Sequence, residues 1–130
     1  MPLLKSGQIV EDTWLYIDNE QDVPANGDVV VSLDRWLSEG DLLKLREGKL
    51  GLRLKNDQSP AQVADDLDEF DIFVLEFPKY TDGRAYSAAR LLRDRYGFKG
   101  EVRASGDVLI DQYGMMQRCG FNAYEISEEG

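Results

Sequence analysis

The sequence predicts an α/β fold: a parallel sheet of about five strands with βα repeats, curled like half a barrel and preceded by a short N-terminal hairpin. Three observations predict it. From Asp28 onward, short apolar runs alternate with segments of helical period. Glycine, proline and serine signals separate those segments. Four of the runs carry interrupting charges, at Arg53, Glu76, Arg103 and Glu125. With 130 residues and 42% apolar composition the chain can bury one core and is short for two, so 1–130 is expected to be a single α/β domain. Residues 1–27 would form its hairpin and loop, and 28–130 the βα repeat core.

The opening stretch alternates weakly and contains Pro24 and Asn26-Gly27, which predicts a hairpin over Ile9 to Ile17 followed by a loop. "DVVVSL", Asp28 to Leu33, is the first core strand, and the helix after it is expected to break near Gly40. "LGLRLK", Leu50 to Lys55, is the second. Ser59 before Pro60 is then an N-cap with proline at the first helical position, and Val63, Ala64, Leu67 and Phe70 recur at helical spacing. "DIFVLEF", Asp71 to Phe77, is the third strand. Its helix offers Ala85, Ala88, Ala89, Leu92 and Tyr96 to the core and ends at Gly97. "GEVRAS", Gly100 to Ser105, is the fourth, with Val108, Leu109, Gln112, Met115, Met116 and Cys119 along one side of the following helix. "NAYEI", Asn122 to Ile126, is the fifth.

Right-handed βαβ connections leave two arrangements, an open doubly wound sheet and a half-barrel with strands in chain order. A doubly wound sheet would bury Arg53, Glu76, Arg103 and Glu125 under helices on both faces. A curled sheet with a polar concave side removes most of that cost. The half-barrel is therefore preferred, with the four charges on its concave face and Arg103 near Glu76, Glu125 or both. Under that expectation Glu76→Gln lowers stability clearly, and combining Arg103→Met with Glu76→Leu recovers much of the loss.

The net charge of −10 argues against nucleic acid, whose affinity rests on neutralising phosphates. The absence of histidine removes Ser/His and Cys/His nucleophile arrangements and His-bearing zinc sites. A single cysteine forms no internal disulfide and suits a reducing compartment. The opening "MPLLKSGQ" lacks the apolar core of a signal peptide, and no run approaches the roughly 20 apolar residues of a membrane helix, so no membrane role and a cytoplasmic location are expected.

In parallel α/β folds functional groups collect where strands give way to helices. That edge holds Asn56 and Asp57, then Lys79, Tyr80, Thr81, Asp82 and Arg84, then Ser105, Gly106 and Asp107. Arg84 opposes the helix dipole in the first turn of its helix, which either an anion held with Lys79 or a salt bridge to Asp82, Asp107 or Glu76 would explain. Ser105-Gly106-Asp107 could form an anion-binding concavity, and Asp107 with Asp111 could be read as a carboxylate pair, but capping accounts for both without a metal. Cys119 at a helix end is read as packing, because a helix C-terminus raises a thiol pKa. The acidic run Asp65 to Asp71 is read as a solvated face. The candidate binding residues are Arg53, Asn56, Glu76, Lys79, Asp82, Arg84, Arg103, Ser105, Asp107 and Glu125, with no metal and no cofactor expected.

The segments "LGLRLKND", "FVLEFPKYTDGRAYSAARLLRDRYGFKGEVRASGDVLIDQ" and "RCGFNAYE" resemble a bacterial family of unknown function whose members are described as oxidoreductases involved in sulfite reduction. The resemblance covers Leu50 to Glu125 and is densest over Phe77 to Gln112. It implies a role beside sulfite reductase in sulfur assimilation and carries over no catalytic residue. The chain has no GxGxxG after a strand, no CxxC and no cysteine set for an iron–sulfur cluster. The expected function is an accessory protein that binds a partner or a small anion. The alternative is a small barrel-type enzyme or oxidoreductase component acting on an oxyanionic substrate. Uncovered sheet edges further predict a homodimer.

Overall fold

The computed structural model describes residues 3–5, 7–79 and 83–125, with Ile110 described by its backbone alone. One sheet of eight strands organises these residues, in the order β2-β1-β8-β7-β6-β5-β4-β3. The strands are β1 (Leu3–Lys5), β2 (Gln8–Val10), β3 (Leu15–Tyr16), β4 (Val29–Ser32), β5 (Leu50–Leu54), β6 (Ile72–Phe77), β7 (Glu101–Gly106) and β8 (Ala123–Glu125). From β3 to β8 neighbours are parallel and follow chain order. β1 adds antiparallel to β8, and β2 antiparallel to β1.

The sheet is therefore mixed, where about five parallel strands were expected. The five expected core runs are β4 to β8. The N-terminal hairpin exists but lies earlier than Ile9 to Ile17, turning at Gly7, whose φ is 78°. Leu15 and Tyr16 instead pair with Val29 and Val30, so their alternation reflects a partner beyond the loop.

Each core strand is apolar because its side chains serve two layers. Val29, Val31, Leu52, Leu54, Phe73, Leu75, Phe77, Val102, Ala104 and Tyr124 point to the helices and join the main core. α1 (Leu33–Leu43) starts at Ser32, whose hydroxyl accepts from the Arg35 amide at 3.1 Å, and kinks at Glu39, next to the expected break. It contributes Leu33, Trp36 and Leu43 to the core. Pro60–Glu69 is a 3₁₀ helix with a capping box, since Ser59 accepts from Ala61 and the Gln62 side chain accepts from the Ser59 amide.

α2 (Arg84–Arg90) continues as a π turn over Leu91–Arg95 and buries Ala85, Ala89 and Leu92. α3 (Tyr113–Cys119) buries Met116 and Cys119 before a left-handed Gly120. Leu109 and Met115, expected on the same side of this helix as Met116 and Cys119, are exposed. The other sheet face carries a smaller apolar group, Val30, Ile72 and Val74, packed by Trp14 and Tyr16.

The curvature follows from one contact. Tyr16 on β3 hydrogen-bonds Glu125 on β8, although β4 to β7 lie between them in the sheet. Adjacent strands are about 4.8 Å apart, so five steps across a flat sheet span roughly 24 Å, far beyond a tyrosine side chain. The sheet is a curled half-barrel, with its helices outside and Tyr16 reaching across the concave side. Among the described residues no helix is long and apolar enough to cross a membrane.

Candidate functional site

Strand parity places the charged residues. Arg53, Val74, Arg103 and Ala123 lie in one paired row on the concave face. Glu76, two residues beyond Val74, and Glu125, two beyond Ala123, share that face one step toward the strand ends. The charges are therefore staggered. Arg53 pairs with Glu76 at 3.5 Å, and Arg103 lies 3.7 Å from Glu125.

The closest partners of Arg103 are two residues that sequence reasoning did not select. Its Nε donates to Glu101 at 2.9 Å, and one terminal nitrogen donates to Asp12 at 2.9 Å. The same terminal nitrogen donates to the Tyr16 hydroxyl oxygen at 3.2 Å, and Lys5 pairs with Glu101 at 2.8 Å. Glu101 had a local signal, since it stands two positions before Arg103 on the same strand. Asp12 and Tyr16 had none, because only the curl of the sheet brings their segment over β7 and β8.

Arg103 is 1% exposed, so its partners decide whether its burial is tolerable. Burial works against its charge, but Tyr16, Glu101 and Asp12 outweigh that effect and its pKa is raised. Burial, then the charge and hydrogen bond of Glu125, raise the Tyr16 pKa against the opposing pull of Arg103. Two cations, Arg103 and Lys5, meet three carboxylates, Asp12, Glu101 and Glu125. That interior is satisfied from within and is not an open anion pocket. Ser105 is buried on the same face.

An open groove lies instead at the strand ends. Asn56, Asp57, Gln58 and Ser59, following β5, face Arg84, Ser87, Ala88 and Leu91 of the α2 segment across about 420 Å³. A smaller adjoining cavity of about 10 Å³ is lined by Glu76 together with Asn56, Lys55 and Arg84. The structure thus brings the strand-end residues Asn56 and Arg84 together, and Glu76, expected in the concave row, joins them at the smaller cavity. Lys79 and Asp107 are exposed beyond this groove. Asp82, with Tyr80 and Thr81, lies outside the described residues.

The Ser105-Gly106-Asp107 concavity is used for strand packing. Gly106 has φ 91°, and a Cβ there would sit 2.3 Å from the Phe77 carbonyl oxygen. The Asp107 amide donates to that same oxygen at 2.7 Å. A neighbouring strand, rather than a ligand, makes the close approach that glycine permits. Cys119 is buried as a small apolar side chain. Among the described residues no group of three or more His, Cys, Asp or Glu side chains is placed to hold a metal ion.

No curated protein and no solved structure matches the chain. Residues 51–130, which run from β5 through the strand-end groove to the end of the chain, match the bacterial proteins of unknown function grouped as DUF934. That span is more than half of the 130 residues, and the chain belongs to this family.

Proposed function

We propose that the chain is a non-catalytic accessory protein of sulfite reduction, holding a small oxyanion, or an acidic group of a partner protein, in the strand-end groove. The observation that carries this reading is the composition of the groove. Among the described residues of the lining, one guanidinium, Arg84, stands among the neutral polar side chains Asn56, Gln58, Ser59 and Ser87, with Asp57 as the carboxylate. A planar guanidinium suits an oxyanion because its parallel N–H groups match two oxygens at once. In this reading sulfite reductase, or another protein of sulfur assimilation, is the partner and the setting is cytoplasmic. The pathway rests on the resemblance over Phe77 to Gln112.

A second reading is a small barrel-type enzyme, or an oxidoreductase component, working on an oxyanionic substrate. The position of Glu76 favours it, since this carboxylate lines the small cavity that adjoins the groove and pairs with Arg53.

Two measurements test the proposal. Calorimetric titration with sulfite should show binding to the parent protein and at least about tenfold weaker binding to Arg84→Gln, the loss of about 1.4 kcal/mol expected for a charge-assisted contact. Tagged sulfite reductase should retain the parent protein on a column. Absence of both sulfite binding and retention overturns the reading, and sulfite turnover by the isolated chain would replace it with the enzymatic one.

A further inference from the structure

The apolar side chains of α1 and of the residues just after it point two ways. Leu33, Trp36 and Leu43 enter the core, but Leu37, Leu42 and Leu45 are 61%, 68% and 80% exposed. A leucine exposed singly needs no explanation, whereas several on adjoining surface mark a place that something covers. Two hollows connect them. One, of about 250 Å³, is lined by Trp36, Leu37 and Gly40, where a Cβ would lie 3.5 Å from the Trp36 ring. The other, of about 490 Å³, runs from Leu42 and Leu45 to Val23 and Pro24. Glu39, at the helix kink, and Leu42 line both, so the two form one apolar groove. Its described lining falls within residues 22–46, a stretch described throughout, and none of it belongs to a strand.

We propose that this groove is the docking site of a basic amphipathic helix from a partner protein. Charge selects the occupant. The three cations of its described lining are already spent. Arg35 pairs with Glu39 and donates to the carbonyl oxygens of Asp18, Asn19 and Gln21. Arg46 donates to those of Pro24 and Gly27, and Lys44 pairs with Asp66 at 3.8 Å while lying over the Trp36 ring. Asp22 and Asp41, by contrast, are exposed on the lining and make no ion pair among the described residues. The charge left available beside the leucines is therefore negative, and the net charge of −10 steers a cationic partner toward it.

A helix suits the groove for a second reason. An extended segment would find no strand to pair with, whereas a helix satisfies its own backbone and can lay its apolar face on Leu37, Leu42 and Leu45. Lysines or arginines flanking that face would then meet Asp22 and Asp41. A second copy fits poorly, because a twofold contact through this groove sets the same unpaired carboxylates against one another. An anionic membrane surface is repelled by them for the same reason. The groove shares no described lining residue with the one around Arg84, so it stands whether or not that site holds an anion.

Fluorescence anisotropy of labelled synthetic helices, titrated with the full chain, tests the site. One probe has leucines along one face and lysines on the other, and its counterpart carries glutamates in place of the lysines. The parent protein should bind the leucine–lysine helix, more tightly at low salt, and leave the leucine–glutamate helix unbound. Leu42→Ser, at an already exposed position, should weaken binding at least about tenfold without changing the far-ultraviolet circular dichroism. Asp22→Asn combined with Asp41→Asn should weaken it too and flatten its salt dependence. Glu11→Gln, which removes an exposed carboxylate just after β2, should change neither. A parent that binds neither helix overturns the proposal, as do equal affinity for the two helices or an affinity that Leu42→Ser leaves unchanged. A loss on Glu11→Gln as large as that of the groove pair reduces the attraction to net charge and overturns it as well. A parent that shows twice the monomer mass by light scattering, and loses it on Leu42→Ser, would make a second copy the occupant and overturn the choice of partner.

Discussion

Tyr16 and Glu125 join the two ends of the parallel array: the phenol on β3 donates to the carboxylate on β8 across the concave side of the sheet. The contact holds the curl rather than a local turn, since the residues are 109 positions apart. Tyr16→Phe keeps the ring against Val30, Ile72 and Val74 while leaving the Glu125 carboxylate and the Arg103 guanidinium one partner short. The expected loss is about 1–3 kcal/mol of unfolding free energy, the cost of leaving a mostly buried polar group unsatisfied. Urea denaturation of the two proteins measures it.

The same hydroxyl makes stability depend on alkaline pH. The Tyr16 pKa in the folded chain is raised above its ordinary value of 10.0, so the folded state holds this proton more tightly than the unfolded state. Its contribution is fully present below pH 10 and is lost as pH rises toward the folded-state value. Tyr86, Tyr113 and Tyr124 are also raised, so the parent's alkaline decline alone does not isolate Tyr16. The difference in melting temperature between parent and Tyr16→Phe should shrink from about pH 10 upward. A constant difference up to pH 11 would mean that the hydroxyl is not held as described.

Removing Arg103 should be far more costly than removing Glu76. Arg103→Met leaves Glu101, Asp12 and Glu125 facing one another with Lys5 as the remaining cation among the described residues, and an uncompensated buried charge costs about 3–5 kcal/mol. Glu76 and Arg53 are 34% and 24% exposed and 3.5 Å apart, so Glu76→Gln should cost about 1 kcal/mol or less. This reverses the weight that the sequence places on Glu76, because exposure, which decides between the two magnitudes, is not visible in strand parity. Thermal unfolding at neutral pH separates the variants.

What was legible in the sequence was local or periodic. Ser59-Pro60 announced its helix start, alternation placed Arg53, Glu76, Arg103 and Glu125 on one face, and their charges argued for a curled sheet. The strand ends drew attention to Asn56 and Arg84, which the structure brings to one groove. What was hidden depended on closure. Leu15 and Tyr16 read as one arm of a hairpin because their parallel partner β4 lies beyond a loop. Asp12, inside the expected hairpin, drew no reading of its own because its partner stands 91 positions away. β1 went unread because three residues are too few for alternation to register.

Asp12 makes the last prediction. Its carboxylate accepts from Arg103 at 2.9 Å with one oxygen and from the Trp14 amide at 3.0 Å with the other, so it fastens residues 11–14 over the concave face. Asp12→Asn keeps the side-chain shape and removes one carboxylate from a cluster that has three of them against two cations. Arg103 retains Glu101, Glu125 and Tyr16, so the global cost should fall well short of that of Arg103→Met. The effect should be local. The Leu15 and Ile17 amides, which donate to Asp28 and Val30, are held by the strand that this segment positions, and a loosened segment frees them first. Hydrogen exchange should therefore quicken about tenfold at Leu15 and Ile17, equivalent to about 1.4 kcal/mol of local opening, while the amides of β6 and β7 keep the parent's rates. Equal acceleration across all strands would show that Asp12 supports the whole sheet, and no acceleration at Leu15 would show that the Arg103 contact holds nothing in place.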